Sequence, residues 1–349
     1  MRGYLQRSAL GLVTAAVALA LVCSTAHAAN QEPAGLNLGS TSFFDGFGRN
    51  EEGFTYLVYG QWASARSIMD DDGKPAPFFT QPKIDVFALV NQLAYTLPEK
   101  LFGDSAHLGI NFILPFAVFD TSFVIRPPGV VALNHTGPGF GDLTFGPFLQ
   151  FRPVMAGGRP VFSQRLEFDV IAPIGQYDPY KDISQSSNFA SLNPSWAATV
   201  LPLPHLELSA RLNYLYNFKN DKPAIGSQLY SLTVPPPVTS SQAGQAGWVN
   251  FAASYEVIHS LHLGVNGYYF MQFNLDLYNM RDGSSGSGGS RLGEANLYDT
   301  GKASVLGIGP GLLVDAGAHD KLFANLYFQP IVYNRAQSRV LNLHWVHPF

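Results

Sequence analysis

The stretch Leu206-Glu207-Leu208-Ser209-Ala210-Arg211-Leu212-Asn213-Tyr214-Leu215-Tyr216-Asn217-Phe218 alternates almost without a break. Leu206, Leu208, Ala210, Leu212, Tyr214, Tyr216 and Phe218 share one face. Glu207, Ser209, Arg211, Asn213 and Asn217 share the other, with Leu215 the exception. Successive side chains of a strand point to opposite faces, so this segment is a strand with one apolar and one polar side. Period two recurs in Phe54–Ser67, Ile84–Leu97, His107–Phe119, Asp142–Arg152, Val161–Ile174, Ser195–Leu201, Trp248–Val257, Leu261–Leu275, Ala303–Val314, Lys321–Val332 and Arg339–Phe349. With the first segment this predicts about twelve strands. Most are near the ~9–11 residues that cross a bilayer at a tilt, and longer than the ~5–6 of soluble strands.

Composition points the same way. The chain has 349 residues, 46% hydrophobic and 13% aromatic but only 13% charged, against about 25% charged in soluble domains. It is too apolar for disorder. Lys+Arg 21 against Asp+Glu 25 gives no basic footprint for nucleic acid. Beyond the N-terminus no run reaches the ~18 apolar residues of a membrane helix. Periodicity alone also admits a soluble β-sandwich or lipocalin-like barrel. So few charges would poorly solvate such an exterior, and Tyr95, Phe116, Phe119, Tyr214, Tyr216, Tyr268, Tyr269 and Trp345 cluster near strand ends as interface girdles do.

Connections alternate in length. Pro98–Asp104, Pro153–Arg159, Pro202–His205, Ile258–Ser260 and Ala316–Asp320 are short; Ile68–Lys83, Asp120–Gly141, Gly175–Pro194, Lys219–Gly247 and Asp276–Lys302 are long. Outer-membrane barrels have short periplasmic turns, longer external loops and an even strand number. The expected fold is therefore all-β: an antiparallel up-and-down transmembrane barrel. Pro115, Pro147, Pro173, Pro310 and Pro330 fall in or beside strand segments and mark bulges, bends or ends, because proline cannot donate to the ladder.

The N-terminus carries Arg2 and Arg7, the apolar run Ala9–Val22 and a small-x-small site at Ala26-His27-Ala28. These are the parts of a secretory signal peptide spanning 1–28. The single cysteine, Cys23, lies within it, so the exported chain has no thiol chemistry. Residues 29–52, with Phe43, Phe44 and Phe47, form a periplasmic or plug segment, and 53–349 form the barrel. The last strand alternates Leu341, Leu343, Trp345 and ends at Phe349. It reads as a signal for the barrel-assembly machinery, with His347 departing from the pattern.

Five stretches carry a family resemblance: residues 33–47 (PAGLNLGSTSFFDGF), 141–147 (GDLTFGP), 206–214 (LELSARLNY), 307–310 (GIGP) and the terminal Pro348-Phe349. The chain resembles proteins of the MetA pathway of phenol degradation. The resemblance implies an outer-membrane barrel that transports aromatic compounds.

In such a barrel the polar faces line the lumen. Candidate pore-lining or substrate-contact residues are Asp85, Arg152, Arg165, Glu167, Asp169, Glu207, Arg211 and Asn213, with Asn91 also expected inward. Arg165, Glu167 and Asp169 alternate on one strand and share the lumen with Arg211. They read either as a charged constriction or as a salt-bridged structural network. Two connections are apolar, 123–131 (Phe123, Ile125) and 229–238 (Tyr230). They read either as capture sites for a hydrophobic solute or as a lid. No G-x-S-x-G, H-E-x-x-H or phosphate loop occurs, and no metal or cofactor is implied. The expected function is passive uptake of small hydrophobic or aromatic compounds across the outer membrane of a Gram-negative bacterium, with lipid around the barrel. A poreless structural or adhesive barrel and a phospholipase-like hydrolase are the alternatives.

Overall fold

In lipid every backbone group must be paired within the protein, so a membrane-spanning sheet has to close. The computed structural model describes residues 36–76, 79–125, 129–131, 135–181, 183–224, 238–280, 285–287, 301–317 and 319–349. Residues 1–28, expected to be a signal peptide, Tyr230 and the rest of 229–237 lie outside the described residues. The twelve long strands are β1 (Gly53–Ile68), β2 (Phe79–Leu101), β3 (Ala106–Ile125), β4 (Leu143–Phe151), β5 (Arg159–Ala172), β6 (Ser191–Leu203), β7 (Leu206–Asn217), β8 (Ala246–Ile258), β9 (Leu261–Gln272), β10 (Ser304–Ala316), β11 (Asp320–Tyr333) and β12 (Ala336–Pro348). Each pairs antiparallel with its neighbours in the chain. The barrel closes where β12 pairs with β1, from Thr55 opposite Pro348 to Ile68 opposite Ala336.

The strands run longer than the periodicity suggested. Residues 123–125, expected in an apolar loop, extend β3 and pair back with Gly129–Val131. Both barrel ends of the chain and five short turns share one end. His205 (φ 68°) and Ser260 (φ 70°) take the left-handed positions that two of these turns require. The longer connections share the other end, along with a tight turn at Asn334 (φ 53°) between β11 and β12. Four short strands within these connections, Lys219–Asn220, Val238–Gln242, Leu277–Met280 and Ser285–Ser287, form a separate sheet.

The prolines sit where pairing lapses. The β4–β5 ladder skips Pro147, the β10–β11 ladder skips Pro310 and Pro330, and β3 stops pairing with β4 just before Pro115. Pro173 follows the end of β5.

β7 shows the division of faces. Glu207, Ser209, Arg211, Asn213, Leu215 and Asn217 are buried, whereas Leu208 and Leu212 are 43% and 50% exposed. Trp62, Phe87, Trp196, Val265 and Leu343 continue this outward apolar belt. A barrel bathed in water would not place such residues there; lipid accommodates them. The interior holds two apolar clusters, one including Leu215, Trp248, Tyr268, Phe270 and Tyr327, the other Phe43, Ala252 and Leu313.

Candidate functional site

Residues 36–50 run inside the barrel, held by the polar inward residues of its wall. Asn250 Nδ2 donates to the Asn37 carbonyl (2.9 Å) and to Thr41 Oγ1 (2.6 Å), and the Trp248 indole N–H donates to Asn37 Oδ1 (2.7 Å). The Tyr327 hydroxyl and Asn342 Nδ2 both donate to the Gly39 carbonyl at 2.8 Å. Farther along, the Phe44 amide donates to Glu207 Oε1 (2.9 Å) and the Gly46 amide to Thr199 Oγ1 (2.8 Å). Ser163 Oγ and Gln150 Nε2 donate to the Gly46 carbonyl. At Gly46 the approach is so close that a Cβ would lie 2.5 Å from the Ser163 carbonyl oxygen and the Thr199 nitrogen. Arg49 Nη1 reaches the Phe349 carbonyl (2.5 Å), joining this segment to the closing strand.

A chain of charges crosses the lumen at mid-height. Arg211 donates from Nε (2.8 Å) and Nη2 (2.9 Å) to the Asp45 carboxylate and from Nη1 to Glu167 (2.5 Å). Glu167 also pairs with Arg165, whose guanidinium lies 3.6 Å above the Phe148 ring and whose Nη2 donates to Asn111. Buried charges are stable only when paired and hydrogen-bonded, and this chain meets that condition.

Beside the inserted segment lies a cavity of about 1440 Å³. Its lining reaches from Phe119, Gln185 and Arg335 at the loop end to His319, Lys321 and Phe349 at the turn end. One wall is mostly apolar: Leu57 from β1, Ile84, Val86, Ala88, Val90 and Ala94 from β2, and Ile113, Pro115, Ala117 and Phe119 from β3, with Thr55, Tyr59, Gln61, Gln92 and Thr96 interspersed. Facing it are Phe44 and Phe47 of the inserted segment and the charges Arg165, Glu167, Asp169 and Arg211. Deeper toward the turn end, His344 packs edge-on against Tyr59, with ring centroids 4.7 Å apart.

The sequence-predicted residues therefore divide. Arg165, Glu167, Asp169 and Arg211 come together on the cavity. Glu207 and Asn213 face inward and are buried off the cavity: Glu207 is held by the Phe44 amide and also accepts from Ser254 Oγ (2.8 Å), and Asn213 Nδ2 donates to the Arg211 carbonyl. Phe43 is buried between Ala252 and Leu313. Phe123 and Ile125 belong to the far end of β3, and their side chains lie outside the described residues.

Three expected lumen residues lie elsewhere. Asp85 stands on the outer face of β2, where Arg66 grips it from Nη1 (2.7 Å) and Nη2 (3.0 Å). Asn91 also faces outward and accepts from the Tyr56 hydroxyl (2.6 Å). The cause is that both faces of β2 are apolar, so its polar residues do not mark the lumen. Arg152 follows the end of β4 and pairs with Asp104 (3.0 Å) in the turn after β2. Asp142, at the loop end, accepts from the amides of Gly175 and Ser187 at 3.1 Å. Burial raises its pKa, and these hydrogen bonds oppose that rise.

Period two marks strands at Ile84–Leu97 and His107–Phe119 but does not mark their inward faces as an apolar wall. Its signal is the unbroken run Val86-Phe87-Ala88-Leu89-Val90, since a strand with apolar neighbours on both faces loses its alternation.

Comparison with known proteins agrees with this architecture. The sequence profile of the family described as "Putative MetA-pathway of phenol degradation" matches residues 65–344. Among solved structures, an outer membrane channel from Pseudomonas putida F1 is 17% identical and superposes with a TM-score of 0.67, covering 88% of this chain and 98% of that one. The transport unit of the autotransporter AIDA-I from Escherichia coli is 10% identical with a TM-score of 0.45, covering 84% of this chain and 89% of that one. A mutant of the monoaromatic hydrocarbon channel TodX is 9% identical with a TM-score of 0.45, covering 93% and 95%. No curated protein matches the sequence. The fold is that of Gram-negative outer-membrane barrels.

Proposed function

This chain belongs to the family described as "Putative MetA-pathway of phenol degradation", and from that premise we propose that it is an outer-membrane channel for passive uptake of small hydrophobic or aromatic compounds. The observation that carries the reading is the apolar wall of the cavity on β1, β2 and β3. The inserted segment takes up much of the polar inward surface, so the space left open is lined on one side mostly by aliphatic and aromatic carbon. Such a lane suits solutes that partition out of water and offers little to sugars or inorganic ions. Residues 36–50 act as a plug that narrows the lumen. The barrel works without chemistry of its own, and its C-terminal strand engages the assembly machinery through Phe349 while the outward belt meets lipid.

Ala88→Trp tests the reading, because an indole on β2 fills the lane opposite Phe44 and Phe47. Vesicles containing lipopolysaccharide and the wild-type protein should take up a radiolabelled monoaromatic compound faster than empty vesicles. Ala88→Trp should return uptake to the empty-vesicle rate while folding normally by heat-modifiable gel mobility. Equal uptake with and without wild-type protein overturns the proposal.

A further inference from the structure

Charge on the lipid side of a barrel is costly at mid-membrane and cheap only near the headgroups. On the outer face, the loop ends of β7 and β9 carry the aromatic residues Tyr214, Tyr269 and Phe273. The loop ends of β12, β1, β2 and β3 are different. Arg339, Ser64, Asp85 and Asp120 form one row across these four strands, each opposite the next, and Arg66 and Lys83 stand just beyond it toward the loops. They continue the alternation of Leu341, Trp62 and Phe87 and so point outward. The side chains of Arg66, Lys83 and Asp120 are 56%, 40% and 70% exposed. Arg66 grips Asp85, and Lys83 reaches Asp120 at 2.5 Å and Asp85 at 3.8 Å. Arg339 is exposed and has no hydrogen-bond or ion-pair partner among the described residues. Three cations thus stand against two carboxylates, and the patch keeps a positive charge.

Its height places it among headgroups. Tyr56 packs edge-on against Trp345 in the girdle at the turn end, and ten positions of β1 separate Tyr56 from Arg66. At about 3.3 Å per residue and a tilt of about 40° this rise is about 25 Å, the height of the apolar band of such barrels. The long connections mark the external side, so the patch lies in the outer leaflet, which in Gram-negative bacteria is built from a phosphorylated glycolipid. We propose that this patch docks the phosphorylated sugar headgroup of that glycolipid, of the lipid A type. Its acyl chains lie along Leu341, Trp62 and Phe87, while its phosphates take Arg339, Arg66 and Lys83. Guanidinium forks match phosphate oxygens, and basic clusters at a membrane surface recognise anionic headgroups. Four strands spaced about 4.8 Å apart make the row about 14 Å wide, which accommodates two phosphates on a pair of sugars. The inference concerns the outer surface of the barrel and is independent of what passes through its lumen.

Native mass spectrometry of the purified full-length barrel in mild detergent, titrated with bisphosphorylated lipid A, its dephosphorylated form and phosphatidylglycerol, tests it. Wild-type protein should bind bisphosphorylated lipid A at least about tenfold more tightly than either of the others. Arg339→Gln should weaken that binding about fivefold, and Arg339→Lys should stay within about twofold of wild type. Lys83→Gln combined with Arg339→Gln should lose more than about tenfold. Lys74→Gln, in the loop above and paired with Asp72, should leave binding unchanged. Each variant is read on protein that keeps heat-modifiable gel mobility, and the wild-type comparison decides the question even where a variant fails to fold. Equal affinity for phosphorylated and dephosphorylated lipid A, or wild-type binding by Arg339→Gln, overturns the proposal. Equal binding of phosphatidylglycerol, or complete displacement of lipid A by millimolar pyrophosphate, makes the patch a general anion site and overturns the glycolipid as its occupant.

Discussion

Removing the carboxylate of Asp45 should unlatch the segment inside the barrel. Arg211 reaches that carboxylate twice, at 2.8 and 2.9 Å, and the two side chains are only 7% and 11% exposed. Breaking a buried ion pair costs about 3–5 kcal/mol. In Asp45→Ala the arginine keeps Glu167 and Ser195, so the cost belongs at the lower end, about 3 kcal/mol. At about 1.4 kcal/mol per decade, the unlatched population should rise roughly a hundredfold. Single-channel recording in planar bilayers reads this as time spent in a wider conducting state. Ser42→Ala is the control. Its hydroxyl meets Asn325 at 3.4 Å, a long neutral contact, and its loss should change that time less than about fivefold. Hydrogen exchange across 36–50 should accelerate in step with conductance. An Asp45→Ala channel with wild-type conductance and wild-type protection of 36–50 would refute the latch.

Other substitutions probe separate parts of the argument. Gly46→Ala places a methyl group 2.5 Å from two backbone atoms of the wall, so it should open the channel in the same recordings without removing any charge. Leu343→Arg lies opposite Gly60 in the closing seam, on the lipid face. It should destabilise the barrel by about 2–4 kcal/mol in guanidinium unfolding from lipid vesicles. Asp85→Asn should leave ion selectivity unchanged, because Asp85 is outside the lumen and paired with Arg66, whereas Arg165→Ala should shift it measurably in reversal-potential recordings.

How much of this was legible in the sequence depended on what each strand touches. β7 separates lipid from polar interior, so its alternation named both faces, and even Leu215 has a structural reason in the interior cluster with Trp248 and Phe270. β2 meets lipid on one side and the apolar lane on the other. Its two faces carry the same chemistry, and Asp85 and Asn91 then mark an outer face that the alternation rule assigned inward. Arg152 failed differently: it follows the pattern of β4 but lies past the strand's end, where Asp104 takes its charge. Length rules located strands well and their ends poorly, because the β2–β3 pair continues to Phe79 and Ile125, beyond the apolar belt.

The polar inward residues posed a deeper ambiguity. An inward face rich in Asn, Ser, Glu and Arg is equally suited to water and to a peptide backbone, since both demand hydrogen-bond partners. Glu207, Asn250 and Gln150 are placed to receive residues 37–46, yet nothing in their spacing distinguishes that role from lining a pore. The distinction was carried elsewhere, in the small residues of the inserted segment. Gly46 fits against β5 and β6 only because it lacks a side chain, and Gly39 has a positive φ of 69° with the Tyr327 ring where a Cβ would stand. A glycine-spaced segment ahead of the first strand and polar residues on the inward faces are two halves of one interface. Once that interface is formed, the wall poorest in polar residues is what remains open, so the proposed passage runs along β1, β2 and β3.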